Sequence, residues 1–204
     1  MKTTQNIIYR IHELFYSLEG EGSRVGEPTI FVRLAGCNLQ CPWCDTADHP
    51  QVNFRLTPPQ LVDYIRQEGW PARWICLTGG EPMMQDAPSL CRDLQAAGFR
   101  VHIETNGTYP IPPDVFDHVT ISPKMQAEVP HDRFPFLPEN EAAADEFKYV
   151  ISRPEDLEWV RWGRRIYLQP NCHVPSARQL CVEAVLRNPD WRLSMQIHKI
   201  LDLP

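Results

Sequence analysis

The sequence predicts an α/β fold, an incomplete, open barrel of about six parallel strands with a reduced helix complement. Three observations predict it. Short apolar runs recur between residues 29 and 195. Helix-patterned segments separate several of these runs, which is the alternation of βαβ units. The residues with chemistry fall just after the runs, where parallel sheets gather their ligands.

Taken in order, 17–29 (SLEGEGSRVGEPT) is polar and Gly-rich and reads as a loop, and 29–36 (TIFVRLAG) reads as a buried strand running into a cysteine segment. Thr57-Pro58-Pro59-Gln60 has the form of a capping box with proline at the first helical position, and Leu61, Tyr64 and Ile65 continue at helical spacing. Trp74 to Thr78 is an apolar run closed by Gly79-Gly80, a strand and a tight turn. Asp86-Ala87-Pro88 starts a second helix through Leu90 and Leu94, stopped by Gly98. Strands follow at Phe99 to Thr105 and Val119 to Ser122, and 125–145, mixed with Pro and acidic residues, reads as an insertion or long loop. Glu146 to Ile151 is a strand, and Ser152 to Glu155 offers a capping box for a helix ending near Gly163. Ile166 to Gln169 is a strand, Ser176 to Gln179 caps a helix to about Asn188, and Trp191 to Met195 is the last strand.

A chain of 204 residues suits one domain, 1–204, with a sizeable core. The net charge of −6 comes without a run of Lys or Arg, which argues against a direct grip on a nucleic-acid backbone. No apolar stretch has the length of a membrane span, and the first residues lack the apolar core of a secretion signal, so no membrane partner and a cytoplasmic location are expected. In that reducing compartment an odd count of seven cysteines reads as metal binding plus bystanders.

Cys37-x3-Cys41-x2-Cys44 puts three thiolates in one short loop. A four-iron cluster takes four thiolates in full, so three without an evident fourth leave one iron open to a small molecule. The alternative is a structural zinc site, with His49 as a fourth ligand on the same loop; the second cysteine pair usual in such sites is missing. Cys76, Cys91 and Cys181 lack metal-like spacing and suit core packing, whereas Cys172 sits beside a candidate ligand loop.

The cysteine spacing, with Trp43 before the last cysteine, resembles the signature of the radical S-adenosylmethionine (SAM) superfamily, and Gly79-Gly80-Glu81-Pro82 resembles its GGE element. Further stretches resemble one family within it, 7-carboxy-7-deazaguanine synthase. These are Phe15-Tyr16-Ser17-Leu18-Glu19-Gly20-Glu21-Gly22, Phe31 to Asn38, Cys44-Asp45-Thr46, Glu104-Thr105-Asn106-Gly107-Thr108, Ser122-Pro123-Lys124 and Gln196-Ile197-His198-Lys199.

The resemblance runs nearly end to end. It implies a reduced radical SAM barrel, a homodimer, and a lyase of queuosine-precursor biosynthesis whose 4Fe-4S cluster is held by Cys37, Cys41 and Cys44. It places S-adenosyl-L-methionine against Trp43, Cys44, Asp45, Gly80, Ser122, Pro123, Lys124, Gln169, Pro170, Asn171 and Cys172. Mg2+ would sit at Thr46, whose hydroxyl suits a hard cation. The substrate, 6-carboxy-5,6,7,8-tetrahydropterin, would meet Leu18, Glu19, Gly20, Arg33, Thr78 and the carboxylate of Pro204. Arg33 supplies a planar, permanently charged fork on an apolar strand. The implied reaction contracts the pterin ring with loss of ammonia, fed by an electron donor such as flavodoxin or ferredoxin; no catalytic side chain is assigned beyond the cluster and cofactor. A glycyl-radical-enzyme activase shares the cysteine spacing and GGEP-like element, and a non-catalytic iron–sulfur or zinc module would need four protein ligands.

Overall fold

The computed structural model describes residues 7–46, 50–125, 129 and 133–204; His49, the alternative zinc ligand, lies outside them, as does part of the 125–145 segment. Strands β1 (Tyr9–Leu18), β2 (Pro28–Leu34), β3 (Phe54–Leu56), β4 (Trp74–Gly79), β5 (Arg100–Thr105), β6 (His118–Ile121), β7 (Glu146–Ile151), β8 (Ile166–Pro170) and β9 (Trp191–Leu193) form one sheet. Their order is β3-β1-β2-β4-β5-β6-β7-β8-β9. From β2 to β9 every pairing is parallel, and β3, antiparallel to β1, runs the same way, so eight of the nine described strands share one direction. At the other edge β1 runs antiparallel to both β2 and β3. Two end strands remain unjoined, so the barrel is open, as the sequence predicts.

β1 and β3 are strands the sequence reading does not anticipate. A register shift between Ile11 and Glu13 makes β1 bury Tyr9, Ile11, His12 and Leu14, so its alternation breaks partway along. Thr29 to Val32 of β2 are all buried. Ile30, Val32 and Leu34 are fully buried on the helix-covered face, which leaves Phe31 and Arg33 on the opposite one.

Four α-helices accompany the sheet: α1 (Pro58–Gln67), α2 (Ala87–Ala96), α3 (Ala177–Arg187) and the short α4 (Ile197–Ile200). Thr57 and Gln60 form the expected capping box, with Gln60 accepting from the Thr57 amide at 2.9 Å. The Asp86 carboxylate accepts from Ser89 N at 3.2 Å to start α2, which stops where Gly98 takes a left-handed φ of 97°. Helix α1 packs on α2, α2 on β5, and α3 on β8 and β9. Ser176 precedes α3 with helical backbone angles and makes no side-chain cap bond, so that helix starts where expected but without the expected cap.

The helix expected over 152–163 is a 3-10 turn, Pro154–Trp159. Asp156 accepts from Ser152 N at 2.7 Å and Arg153 N at 3.2 Å, and the Tyr149 hydroxyl binds both Trp162 O and Trp162 N. The Asp156 bonds cap the turn at its start, and the Tyr149 tie takes the Trp162 amide out of any longer helix. Within 125–145 the described residues include another 3-10 turn, Pro138–Ala143, whose buried Asn140 bonds Ile111 N, Gly107 O and Tyr109 O. That asparagine anchors the segment to the turn beyond β5.

Candidate active site

The carboxyl ends of the parallel strands open onto a cavity of about 210 Å³. The sequence-predicted residues meet there, from Leu18, Glu19 and Gly20 after β1 to Pro204 at the other end of the chain. Arg33 comes from β2, Cys37, Cys41, Trp43, Cys44, Asp45 and Thr46 from the loop beyond it, and Thr78 and Gly80 from β4 and its turn. Ser122 and Lys124 follow β6, and Gln169, Pro170, Asn171 and Cys172 end β8. Pro123 is the one expected residue outside the lining; it is buried between Ser122 and Lys124.

The cysteine loop is held by backbone. Gly36 turns at a left-handed φ of 94°, and its carbonyl accepts from Glu81 N at 2.8 Å, while Gly80 N donates to Leu34 O at 3.0 Å. A Cβ on Gly80 would lie 1.9 Å from Gly36 O, so only glycine lets the two turns approach this closely. Glu81 is 1 % exposed and accepts from Asn106 N and Thr105 Oγ1, both at 2.7 Å, and from Met83 N at 2.9 Å. Burial raises its pKa against those three bonds. One carboxylate thus locks the turn after β4 to the turn after β5.

Cys37, Cys41 and Cys44 all line the cavity, half-buried, and Leu39 N donates to Cys37 Sγ at 3.4 Å. Burial pushes the Cys37 thiol up to about 11 and raises that of Cys41, against the nearby Lys124 cation. Positive charge from a metal group would favour the thiolate form of these two thiols. Thiolates around a single zinc ion stand about 4 Å apart. Among the described residues, the only three potential ligand atoms drawn within 4.8 Å of one another belong to Glu19, Cys76 and His102, so the loop's sulfurs are too spread for one ion. The donor set fits a multi-iron group with an open position. Trp43 Nε1, a buried donor without a partner, stands beside it.

The Glu19–Cys76–His102 group already has its cation. Arg24 NH1 lies 3.2 Å from His102 Nδ1, and Glu19 Oε2 lies 3.4 Å from the same nitrogen. Glu19 Oε1 accepts from Gly20 N at 3.0 Å, so this carboxylate turns inward and shapes the loop. Cys76, Cys91 and Cys181 are buried in the core, as expected.

Arg33 NH1 donates to Thr46 Oγ1 at 2.9 Å, its Nε lies 3.0 Å from Glu13 Oε2, and its guanidinium stands 5.2 Å from the Phe15 ring centre. Lys124 Nζ donates to Ser122 O at 2.7 Å and Ser122 Oγ at 2.6 Å. Burial lowers the pKa of that ammonium, against the attraction of Cys41 and Cys37.

Sequence reasoning missed the polar spine of the cavity. Lys148 on β7 pairs with Glu21 and with Glu104 at 2.7 Å, and Thr78 Oγ1 donates to the second Glu104 oxygen at 3.0 Å. Burial works against the Lys148 ammonium, but the two carboxylates outweigh it and hold it well above its usual range. Gln196 Nε2 donates at 2.8 Å to both Glu21 and Asp45, and Lys199 Nζ reaches Asp45 at 3.1 Å and Cys172 Sγ at 3.3 Å. His198 packs so closely on Gly20 that a Cβ there would lie 2.0 Å from its Nδ1. The signal for Lys148 was available: a cation inside the apolar run EFKYVI, like Arg33 inside TIFVRL.

Comparison with known proteins agrees with this arrangement. Residues 31–119 match the family model of the Radical SAM superfamily. The chain is 35% identical to 7-carboxy-7-deazaguanine synthase of Synechocystis sp., over 96% of this chain and 93% of that one. It is 36% identical to the synthase of Bacteroides thetaiotaomicron, over 95% and 98%. The crystal structure of QueE from Escherichia coli superposes with a TM-score of 0.81 at 31% identity, covering 94% of this chain and 95% of the other. An open parallel sheet, three cavity-lining thiols and near-complete similarity to these relatives lead to one conclusion: the chain belongs to the 7-carboxy-7-deazaguanine synthase family of the radical SAM superfamily.

Proposed function

We propose that this chain is a 7-carboxy-7-deazaguanine synthase, a radical SAM lyase converting 6-carboxy-5,6,7,8-tetrahydropterin to 7-carboxy-7-deazaguanine and ammonia. The observation that carries the reading is convergence. The three cluster cysteines, the Gly80 turn, Arg33 with Thr46, and the loop 18–20 line one cavity. A 4Fe-4S cluster held by Cys37, Cys41 and Cys44 would, with SAM and an electron from the donor, supply the radical chemistry that a hydrogen abstraction from the pterin requires.

The protein's own part is to hold, orient and exclude water. Cys37, Cys41 and Cys44 hold the cluster. The Gly80 turn, Trp43, Asp45, Lys124 and the end of β8 (Gln169, Pro170, Asn171 and Cys172) form the SAM side of the cavity, with Ser122 and Pro123 fixing Lys124. Arg33 binds the substrate carboxylate, Leu18 to Gly20 and Thr78 flank the ring, and Pro204 closes the end of the cavity. Thr46 Oγ1 already accepts from the Arg33 guanidinium, so Mg2+ at this oxygen needs the substrate carboxylate between two cations. That makes metal and substrate binding mutually dependent.

The same reading takes 1–204 as one catalytic unit, acting as a cytoplasmic homodimer with a flavodoxin- or ferredoxin-type donor. Among the described residues, no helix is long and apolar enough to cross a membrane. The test is anaerobic reconstitution with iron and sulfide, then reductant, SAM, Mg2+ and the tetrahydropterin, followed by mass spectrometry. The deazapurine is the expected product. Formation of 5′-deoxyadenosine with the pterin intact would keep the superfamily and discard the substrate.

A further inference from the structure

We propose that Lys148 is a positioning residue that keeps Glu104 ionised and aimed into the cavity as an anchor for the hydrogen-bond-donating edge of the pterin. The inference rests on the substrate reading above and adds a specificity device to it. On β7 the flanking Phe147 and Tyr149 are buried in the core, so Lys148 projects from the other face, into the cavity. Its ammonium sits between Glu104 and Glu21, each fixed on its far side, Glu104 by Thr78 and Glu21 by Gln196.

Charge decides what Glu104 can do. A buried carboxyl without a cation takes up a proton, because desolvation penalises the charged form. As a carboxylate Glu104 accepts paired N–H donors, as an aminopyrimidinone edge presents them; as an acid it must donate one hydrogen itself. The groups facing it are Lys148 from β7, Thr78 and Cys76 from β4, His102 from its own strand, Glu21 from the loop after β1, and Lys124 beyond β6. Among the described residues only Lys148 touches it with a charge. Two carboxylates share that one ammonium, and the remaining negative charge faces the cavity, where N–H donors of a ligand answer it.

The test is equilibrium dialysis of oxidised 6-carboxypterin against reconstituted enzyme with neither SAM nor reductant. Binding to the native protein is expected to be flat between about pH 5 and pH 7. Lys148→Met weakens it about tenfold or more at the acid end and less at neutral pH, and Lys148→Arg restores the flat profile. Glu104→Gln binds weakly throughout, and adding Lys148→Met to it changes affinity less than about twofold, since Lys148 acts through Glu104. That double variant neutralises Glu104 together with its cation, leaving Glu21 its Gln196 bond, and tests the proposal even if Lys148→Met alone fails to fold. Native affinity and a flat profile in Lys148→Met would overturn the proposal, as would a further tenfold loss in the Glu104→Gln background. A native enzyme that fails to retain the pterin would sink the substrate reading along with it.

Discussion

Replacing Glu81 by Ala removes the tie between the turns after β4 and β5. The carboxylate is buried and accepts three hydrogen bonds, two from backbone amides, of Asn106 and Met83, and one from the Thr105 hydroxyl. A truncated side chain leaves both amides without an acceptor; the hydroxyl can rotate to another. Each orphaned donor costs about 1–3 kcal/mol. Relief of the buried carboxylate's own desolvation, which raises its pKa, offsets part of that. We expect a net loss of about 3 kcal/mol, a large share of the 5–15 kcal/mol typical of a domain. Urea unfolding of the metal-free protein reads it directly, as a lower midpoint at unchanged slope. Glu81→Gln, which retains one acceptor oxygen, should lose about half as much. SAM binding should fall with stability, because Asn106, Thr105 and Gly80 all line the cavity. A loss below about 1 kcal/mol with native SAM affinity would refute the reasoning.

Three further outcomes are expected. Gly80→Ala sets a methyl group 1.9 Å from one backbone oxygen, so the cysteine loop must shift by about 1 Å; iron content and 5′-deoxyadenosine formation should drop, the latter by about 100-fold. Cys41→Ala should lose the cluster's visible absorbance and SAM cleavage together, and normal cleavage would remove Cys41 from the ligand set. Burial works to raise the Glu146 carboxyl, but bonds with His118, Ser23 and Thr120 outweigh it and bring it from 4.5 down to about 2. A depressed carboxyl contributes stability fully above its ordinary pKa and loses it as pH falls through the folded value, here about 3 kcal/mol across that window. Glu146→Gln should therefore be less stable at pH 7 and show a flatter acid limb in chemical denaturation.

Much of the fold could be read from local signals because each parallel strand is an apolar run and each expected helix start has a chemical mark. Thr57 with Gln60, and Asp86 with Pro88, behave as their sequence says. β1 escaped because its bulge breaks the period-two pattern between Ile11 and Glu13. The 152–163 helix stops early because the Tyr149 hydroxyl takes the Trp162 amide that its last turn would use. For the site, the thiols and glycines were legible because their chemistry demands those residue types. The acidic pair around Lys148 was not, since Glu21 and Glu104 lie far apart in sequence and only the sheet order brings them to one ammonium. Glu81 stood in plain view beside two glycines, yet its role depends on Asn106, a residue in the turn after β5.

The contacts that complete the cavity also set the order in which the molecule can be assembled. Gln196 meets Glu21 across 175 positions of chain, and Lys199 meets Asp45 across 154. Such pairings carry a large loop-closure entropy and form late, after neighbouring strands have joined. During synthesis the sheet through β8 precedes the segment that finishes the cavity. Until that segment docks, the cavity that holds the three thiols lacks Gln196 and His198 from its wall. Cluster insertion after residues 196–199 have docked on Glu21 and Asp45 is the sequence of events this connectivity favours.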